Sequence, residues 1–199
     1  IQYNYLDIEN QAGIKGLKYA ASKGLGVVIM EPLLGGRLAN PPKDIKEIFT
    51  GSGKNWSPVD FALKWLWNQP EVSVVLSGMS NMQQVKENLA YADESGIGIL
   101  SVDDQETIER VRRKYEQRAA IPCTACEYCM PCPNNVNIPR NFEVYNRALM
   151  HDDMSGSQRT YRYFMEEDIR AGNCIQCRVC EDKCPQRIAI SEWMPKIHN

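Results

Sequence analysis

The eight cysteines of this 199-residue chain constrain its fold more than any other feature, because all of them fall in two short runs. A cysteine at every third residue winds a loop around one cubic iron-sulfur cluster, with each thiolate on a different iron and backbone N–H groups directed at the sulfides. The second run has the spacing of bacterial ferredoxins, and the first has one residue fewer before its fourth cysteine. The spacing therefore predicts two [4Fe-4S] clusters. The runs are Cys123-x-x-Cys126-x-x-Cys129-x-x-Cys132-Pro133 and Cys174-x-x-Cys177-x-x-Cys180-x-x-x-Cys184-Pro185.

Two other uses of the cysteines are open at this point. Zinc also binds four thiolates, but zinc ribbons usually present them as two separated pairs. Each run here instead has three evenly spaced cysteines followed by a fourth. Disulfides require an oxidising compartment and are typical of small scaffolds with little core, whereas this chain is 43% hydrophobic. Clusters are the favoured interpretation, and their thiolates predict a reducing, cytoplasmic location.

The prolines after the fourth cysteines predict how the ligands divide between the clusters. Pro133 and Pro185 turn the chain, and in two-cluster ferredoxins the fourth cysteine binds the other cluster. We therefore expect Cys132 to join the second run and Cys184 to join the first. The shorter spacing before Cys132 leaves open that it binds the cluster of its own run.

Length and charge set the number of domains and argue against some partners. At 199 residues the chain has room for one ordinary domain and a small one. A net charge of -2 and a pI near 5.8 give no electrostatic reason to expect nucleic acid or an anionic membrane as a partner. No apolar run approaches the roughly 20 residues of a membrane-spanning helix. Ile1–Leu6 contains neither a Met nor a charged leader, so we expect the chain to begin inside a domain.

Strand and helix patterns alternate three times before the first cysteine run. We expect strands at residues 1–6, 27–30 and 72–76, the last two as short apolar runs typical of strands buried on both faces of a parallel sheet. Such α/β repeats build either a doubly wound sheet or a (β/α)8 barrel. The barrel is favoured because no glycine-rich dinucleotide fingerprint follows the first strand.

Helix starts are marked by capping residues, and the last marked helix ends near Ala120. We place a domain boundary there, between a barrel part at 1–120 and a small, mainly α-helical domain at 121–199. Aromatic stripes predict helices over 142–149 and 161–169 that pack around the clusters. Met82, Val85 and Leu89 are expected to lie on one face of the helix after the third strand. The predicted helix starts before the boundary are Ser57-Pro58, Ser80-x-x-Gln83 and Ser101-x-x-Asp104.

Three stretches before the boundary, and one after it, carry a family resemblance. The first three resemble strands six, seven and eight of the aldo-keto reductase barrel. The fourth resembles the ferredoxin-like tail of one bacterial branch of that family. The resemblance implies the C-terminal part of a (β/α)8 TIM barrel followed by a dicluster ferredoxin-like domain, with the missing N-terminal part of the barrel as a partner. The stretches are Gln2-Tyr3-Asn4-Tyr5, Val28 to Gly36, Val74 to Gly78 running into Gln84-x-x-Glu87-Asn88-Leu89, and Ile121-Pro122-Cys123 onward.

The resemblance also implies an NAD(P)H-dependent reductase of a small carbonyl substrate, with the cofactor extended across the mouth of the barrel. Gln2 would hydrogen-bond the nicotinamide carboxamide, and Met30 replaces an aromatic ring beside the nicotinamide. Gln84 stands where the family often has an Arg for the 2′-phosphate, so a strict NADPH preference is not implied. The implied cofactor-binding residues are Gln2, Met30, Pro32, Leu33, Gly78, Met79, Ser80, Gln84, Glu87 and Asn88.

Two functions stay open as the main hypotheses, and a zinc-stapled interaction module is a third. The family's catalytic Asp, Tyr, Lys and His belong to strands upstream of Ile1, so the resemblance implies a C-terminal part of a reductase that is inactive alone, with clusters for electron transfer or structure. The alternative is a ferredoxin-like electron carrier or docking module for a one-electron redox protein, with the barrel part as scaffold. It stays open because nicotinamide releases two electrons together, each cluster accepts one, and no flavin motif is visible.

Overall fold

Three short extended segments run parallel to one another in a computed structural model that describes residues 1–9 and 11–199. β1 (Val28–Ile29) pairs with β2 (Val74–Val75), with Val28 opposite Val74 and Ile29 opposite Val75. Gln2 forms a single parallel bridge with Met30 on the other side of β1. The described residues thus contain neighbouring parallel segments in chain order, but not a closed barrel.

The strand expected at residues 1–6 is wrong beyond Tyr3, whose N–H makes the last backbone hydrogen bond to the strand at 28–30. The side-chain oxygen of Asn4 accepts hydrogen bonds from the backbone N–H groups of Leu6 at 3.1 Å and Asp7 at 3.0 Å. This local Asn turn bends the chain out of the sheet after Tyr3. The Asn4 amide also donates to the carbonyl of Glu31, which ties the bend to the loop after β1.

Burial of the strands on both faces is also wrong. Ile29 is fully buried, whereas its neighbour Val28 is 42% exposed and the paired Val74 is 46% exposed. Since successive side chains of a strand point to opposite faces, one face of this sheet is covered and the other is open. The covered face packs against side chains that include Leu17 and Leu66.

Helices separate and follow the strands of the first unit, Ile1–Lys114. The last of them continues into the second unit, Tyr115–Asn199, because the division falls within it. The helices are α1 (Gly13–Ser22), α2 (Lys43–Thr50), α3 (Pro58–Trp67), α4 (Met82–Asp93) and α5 (Val102–Arg118).

Two of the three predicted helix starts are confirmed. The Ser57 side chain accepts from the N–H of Asp60 at the start of α3. Ser101 and Asp104 exchange hydrogen bonds at the start of α5: the Ser101 hydroxyl accepts from the N–H of Asp104, whose carboxylate accepts from the Ser101 N–H and hydroxyl. Both pairs satisfy backbone groups that a helix leaves free in its first turn.

The capping box Ser80-x-x-Gln83 is wrong by one residue. Asn81 caps α4 by accepting from the N–H of Gln84 at 3.0 Å, and the Gln84 side chain reaches back to the N–H of Ser80 at 2.8 Å. This helix buries none of its side chains, and Met82 and Leu89 are 67% and 60% exposed.

The second unit is built around a core formed largely by its cysteine loops and by α6 (Ile138–His151) and α9 (Ile190–His198). Phe142 on α6 and Met194 on α9 are buried in it. α7 (Met154–Arg159) follows α6, and α8 (Val179–Asp182) is a single turn within the second cysteine run.

A continuous helix over 161–169 is wrong. Thr160–Phe164 is a π-helical extension of α7, and Glu167–Ile169 is a short 3-10 turn. The chain leaves the helix between them because the Arg170 guanidinium donates to the carbonyl groups of Arg162 and Met165. Those carbonyls therefore accept hydrogen bonds from a side chain.

Among residues 1–9 and 11–199, no helix is both long enough and apolar enough to span a bilayer.

Candidate functional site

The two cysteine runs share one backbone shape. In the first run Ala125 and Glu127 have positive φ angles of 53° and 63°, and in the second run Gln176 and Arg178 have φ angles of 56° and 63°. Non-glycine residues rarely adopt this left-handed conformation, and they persist in it only where the surroundings require it. Both runs therefore curl in the same way at the same two positions.

The curled loops direct backbone N–H groups at sulfur. The N–H of Ala125 donates to the Sγ of Cys123, and the N–H of Gln176 donates to the Sγ of Cys174, both at 3.4 Å. Such bonds favour a charged thiolate over a neutral thiol. The expectation from the sequence was of N–H groups directed at the inorganic sulfides of a cluster, and these bonds to cysteine sulfur were not predicted.

The fourth cysteine of each run lies with the first three cysteines of the other run. Cys184 lines the void surrounded by the first run, and Cys132 lines the void surrounded by the second. Burial raises the pKa of Cys123, and the neighbouring thiols Cys126 and Cys184 raise it further. Burial likewise raises the pKa of Cys180 to about 11, with contributions from Glu181, Cys132 and Cys174. The groups are Cys123, Cys126, Cys129 and Cys184, and Cys132, Cys174, Cys177 and Cys180.

The donor sets fit two [4Fe-4S] clusters. All eight cysteines are free of disulfide bonds. Among the residues that the structure describes, no three His, Cys, Asp or Glu side chains converge as ligands of a single metal ion do. The four sulfurs of each group instead surround an apolar-walled void, as ligands of separate irons in one cluster do.

An internal repeat places two isoleucines between the voids. Ile138 and Ile190 each line both of them and begin α6 and α9. Each stands six residues after a fourth cysteine, in the stretches Cys132-Pro-x-x-Val-x-Ile and Cys184-Pro-x-x-Ile-x-Ile. These isoleucines were not among the residues predicted for the site, although the repeat of Cys-Pro followed by alternating apolar residues was a sufficient signal.

A second candidate site is an open groove of about 440 Å³ in the first unit, within the usual size range of small-molecule sites. It lies where β1 and β2 end, and the loop at 31–36 and the start of α4 form its walls. Eight of the ten implied cofactor residues line it: Met30, Pro32, Leu33, Gly78, Met79, Gln84, Glu87 and Asn88.

The other two implied residues, Gln2 and Ser80, are not in the lining. The backbone on either side of Gln2 is bonded to Met30: the Met30 N–H donates to the Ile1 carbonyl at 2.8 Å, and the Tyr3 N–H donates to the Met30 carbonyl at 3.1 Å. Ser80 donates from both its N–H and its hydroxyl to the Gln84 side-chain oxygen, at 2.8 and 3.2 Å. That oxygen is therefore used in the cap of α4, and Gln84 can offer a ligand its NH2 donors.

Two further hydrogen bonds fix the wall formed by α4. The Asn88 amide donates to the hydroxyl of Ser77 at 3.0 Å, which links the helix to the turn after β2. Glu87 accepts from the side chain of Gln83 at 2.7 Å. The turn and the helix thus form one hydrogen-bonded unit along the groove.

Comparisons with known proteins divide at the same place as the two sites. The Aldo/keto reductase family model matches residues 1–110, and the 4Fe-4S dicluster domain model matches residues 122–189. L-galactose dehydrogenase of Arabidopsis thaliana is 30% identical over 130 residues, which cover 58% of this chain and 40% of that protein. A solved structure, aldo-keto reductase AKR11C1 from Bacillus halodurans in a holo form, aligns at 20% identity with a TM-score of 0.44 over 55% of this chain and 40% of that one. The chain spans about two fifths of the length of these relatives.

Proposed function

We propose that this chain, which belongs to the aldo/keto reductase family and carries a 4Fe-4S dicluster domain, is the C-terminal part of an NAD(P)H-dependent carbonyl oxidoreductase with two [4Fe-4S] clusters. The observation that carries the proposal is the grouping of eight free cysteines around two voids, four to each. In the same proposal, Gln2, β1 and β2 correspond to strands six, seven and eight of a (β/α)8 barrel. Their parallel pairing in chain order supports this assignment.

The groove residues would bind and orient the cofactor, which supplies a hydride to a carbonyl carbon when bound. The turn at Gly78 and Met79 precedes α4, where N–H groups and the helix dipole favour a phosphate. Pro32 and Leu33 form the opposite wall. Gln84 contributes neutral NH2 donors, which supports use of either NADH or NADPH.

The eight thiolates would bind the clusters, which supply one-electron transfer when bound. Ile138 and Ile190 exclude water from the space between the two groups of ligands. The thiols of Cys129 and Cys180 are 9% and 8% exposed, so the inner ligands are shielded from solvent. Thiolate ligation also supports the proposal of a reducing, cytoplasmic location.

The missing N-terminal part of the barrel is the partner proposed for the open face of the sheet. Val28, Val74 and Leu76 are 42%, 46% and 50% exposed on neighbouring paired strands. A contiguous apolar surface on a sheet marks a region that another part of a protein covers. The catalytic Asp, Tyr, Lys and His of the family, and the contacts to a small carbonyl substrate, would come from that part.

The second candidate function is a ferredoxin-like electron carrier for a one-electron redox protein. The observation that favours it is the exposure of one ligand in each group, Cys126 and Cys177. A partner can approach the sites closely there. In this case the first unit is a scaffold, and the groove is vacant during electron transfer.

Metal analysis of the chain after anaerobic reconstitution tests the cluster assignment. We expect about eight iron and about eight sulfide per chain, with little zinc. Stoichiometric zinc without sulfide would contradict the assignment.

Carbonyl reduction by the chain joined to its upstream sequence, compared with the chain alone, separates the two functions. A reductase gives NAD(P)H oxidation in the joined protein and none in the isolated chain.

A further inference from the structure

We propose that Glu127 and Arg178 make the two clusters unequal, so that a single electron resides at the site of Cys132, Cys174, Cys177 and Cys180. The first site, with Cys184, would have the lower reduction potential and the second site the higher. This inference rests on the proposed binding of two [4Fe-4S] clusters. It assigns a direction to electron transfer within the second unit.

The two sites are matched in most features that set a cluster potential, which are cluster type, hydrogen bonds to sulfur, solvent exposure and charge. Both ligand sets are four cysteines. Both loops donate one N–H to the sulfur of their first cysteine at 3.4 Å. Residues 123–129 and 174–180 also have the same burial pattern, position by position. Charge is the feature that differs.

Glu127 and Arg178 occupy the same position in the repeat. Each follows the second cysteine of its run and has a φ of 63°. Glu127 is the charged residue that lines the first void, and Arg178 is the charged residue that lines the second. Equivalent backbone positions thus place opposite charges beside the two sites.

Two other charges in the loops act against this difference. Glu181 lies near Cys180 and raises the pKa of that thiol after the larger effect of burial, and its carboxylate accepts from the N–H of Ser191 at 2.8 Å. Arg178 lies close enough to help lower the pKa of Glu181, after the larger effect of the Ser191 hydrogen bond. Lys183 adjoins Cys184, which belongs to the first site. Glu127 and Arg178 are nevertheless the charged residues that line the two voids.

The sign follows from Coulomb's law. Reduction adds one negative charge to a site, so a nearby carboxylate disfavours it and a nearby guanidinium favours it. Both side chains are exposed, so dissolved salt screens the effect but does not remove it at short range. When clusters are bound, the second site would therefore hold an added electron more favourably than the first, and Ile138 and Ile190 would form the apolar wall between the two sites.

A potentiometric titration followed by electron paramagnetic resonance tests this on the whole reconstituted chain. The unmodified chain is expected to show two separate potentials. Glu127→Gln should raise the lower potential and leave the higher one unchanged. Arg178→Gln should lower the higher potential and leave the lower one unchanged. Each substitution should reduce the difference between the two reduction potentials, and added salt should reduce it as well.

Matched controls are Glu166→Gln and Arg159→Gln, which change the same charges on exposed residues of the same unit that line neither void. They should leave both potentials in place. Equal potentials in the unmodified chain, or a Glu127→Gln change that raises the higher potential, would overturn the inference. Iron and sulfide content is measured on every variant. A chain that binds no clusters contradicts the proposed function instead, so the two failures are distinguishable.

Discussion

Single residues in the groove have structural roles that limit what they can do for a ligand. The Gln84 side-chain oxygen accepts from the N–H and hydroxyl of Ser80, so this residue helps to cap α4 as well as line the groove. The family comparison by position could not predict this, because it depends on Asn81 being the cap. Asn and Ser are both good caps, and the sequence offered them side by side.

Gln84→Arg should shift cofactor preference toward NADPH. A guanidinium adds a charged fork for the 2′-phosphate, and each charge-assisted bond is stronger than a neutral one. We expect the ratio of the NADH and NADPH dissociation constants, measured by titration calorimetry on the chain joined to its upstream sequence, to change by roughly tenfold. Arg cannot accept from Ser80, so Gln84→Ala is the control for the lost cap. An equal ratio in the Arg and Ala variants would count against the groove assignment.

Asp104 should make the first unit sensitive to acid. Burial alone raises the pKa of its carboxyl, but the hydrogen bonds from Ser101 and the nearby Lys54 hold that pKa below its usual value. A carboxyl with a lowered folded-state pKa stabilises the fold above its unfolded pKa of about 3.9, and this contribution is lost as pH falls through the folded value. In urea unfolding, Asp104→Asn should cost about 1–3 kcal/mol near neutral pH and less in acid. The exposed neighbour Asp103 is the control, since Asp103→Asn removes the same charge and leaves the hydrogen bonds from Ser101 and the ion pair with Lys54 in place.

At the scale of elements, the sequence predicted the α/β alternation but overestimated the strands. The apolar runs at 27–30 and 72–76 were correctly read as extended, and their parallel pairing was expected. The strand at 1–6 failed because Asn4 turns the chain, which a period-two pattern cannot show. The prediction that both faces of the strands are buried failed at Val28, which is 42% exposed. Burial depends on which other elements cover the sheet, and the sequence of the strand does not contain that information.

The correction at the start of α4 gives a prediction at this scale. Asn81→Ala removes the side chain that accepts from the N–H of Gln84, and should cost about 1 kcal/mol in the free energy of unfolding. Ser80→Ala removes a hydroxyl that donates to Gln84 and keeps the backbone bond, so it should cost less. The comparison is made by urea unfolding monitored by circular dichroism. A larger loss for Ser80→Ala would restore the original capping assignment.

At the scale of the whole molecule, the sequence placed the two candidate sites in different parts of the chain. The crossed grouping of the cysteines was predicted from the two prolines and from the ligation of two-cluster ferredoxins, although the spacing before Cys132 left local ligation open. The aromatic stripes were less informative: Phe142 is buried beside the first void, whereas Phe164 is 76% exposed. Within the same segment Tyr161 is 8% exposed, so the stripe at 161–169 marks one buried side chain and not a continuous buried face.

The crossed grouping of the cysteines leads to a prediction for the second unit as a whole. Cys132 lies with Cys174, Cys177 and Cys180 around the second void, whereas the other three cysteines of its own run line the first void. Metal ligation at both sites would therefore tie residues around 123–132 to residues around 174–184 and close the chain between them. Binding energy at such sites becomes folding energy, so iron chelation should unfold this unit while leaving the helical signal of the first.

Cys132→Ala separates crossed from local ligation. It should damage the cluster held by Cys174, Cys177 and Cys180, and Cys184→Ala should damage the cluster held by the first run. Each variant is reconstituted anaerobically. To identify the cluster that remains, the variant is combined with Cys126→Ser, which alters the first site, or with Cys177→Ser, which alters the second. If Cys132→Ala loses the cluster of its own run, each cluster is bound locally, and the grouping of thiols around the two voids does not describe the ligation.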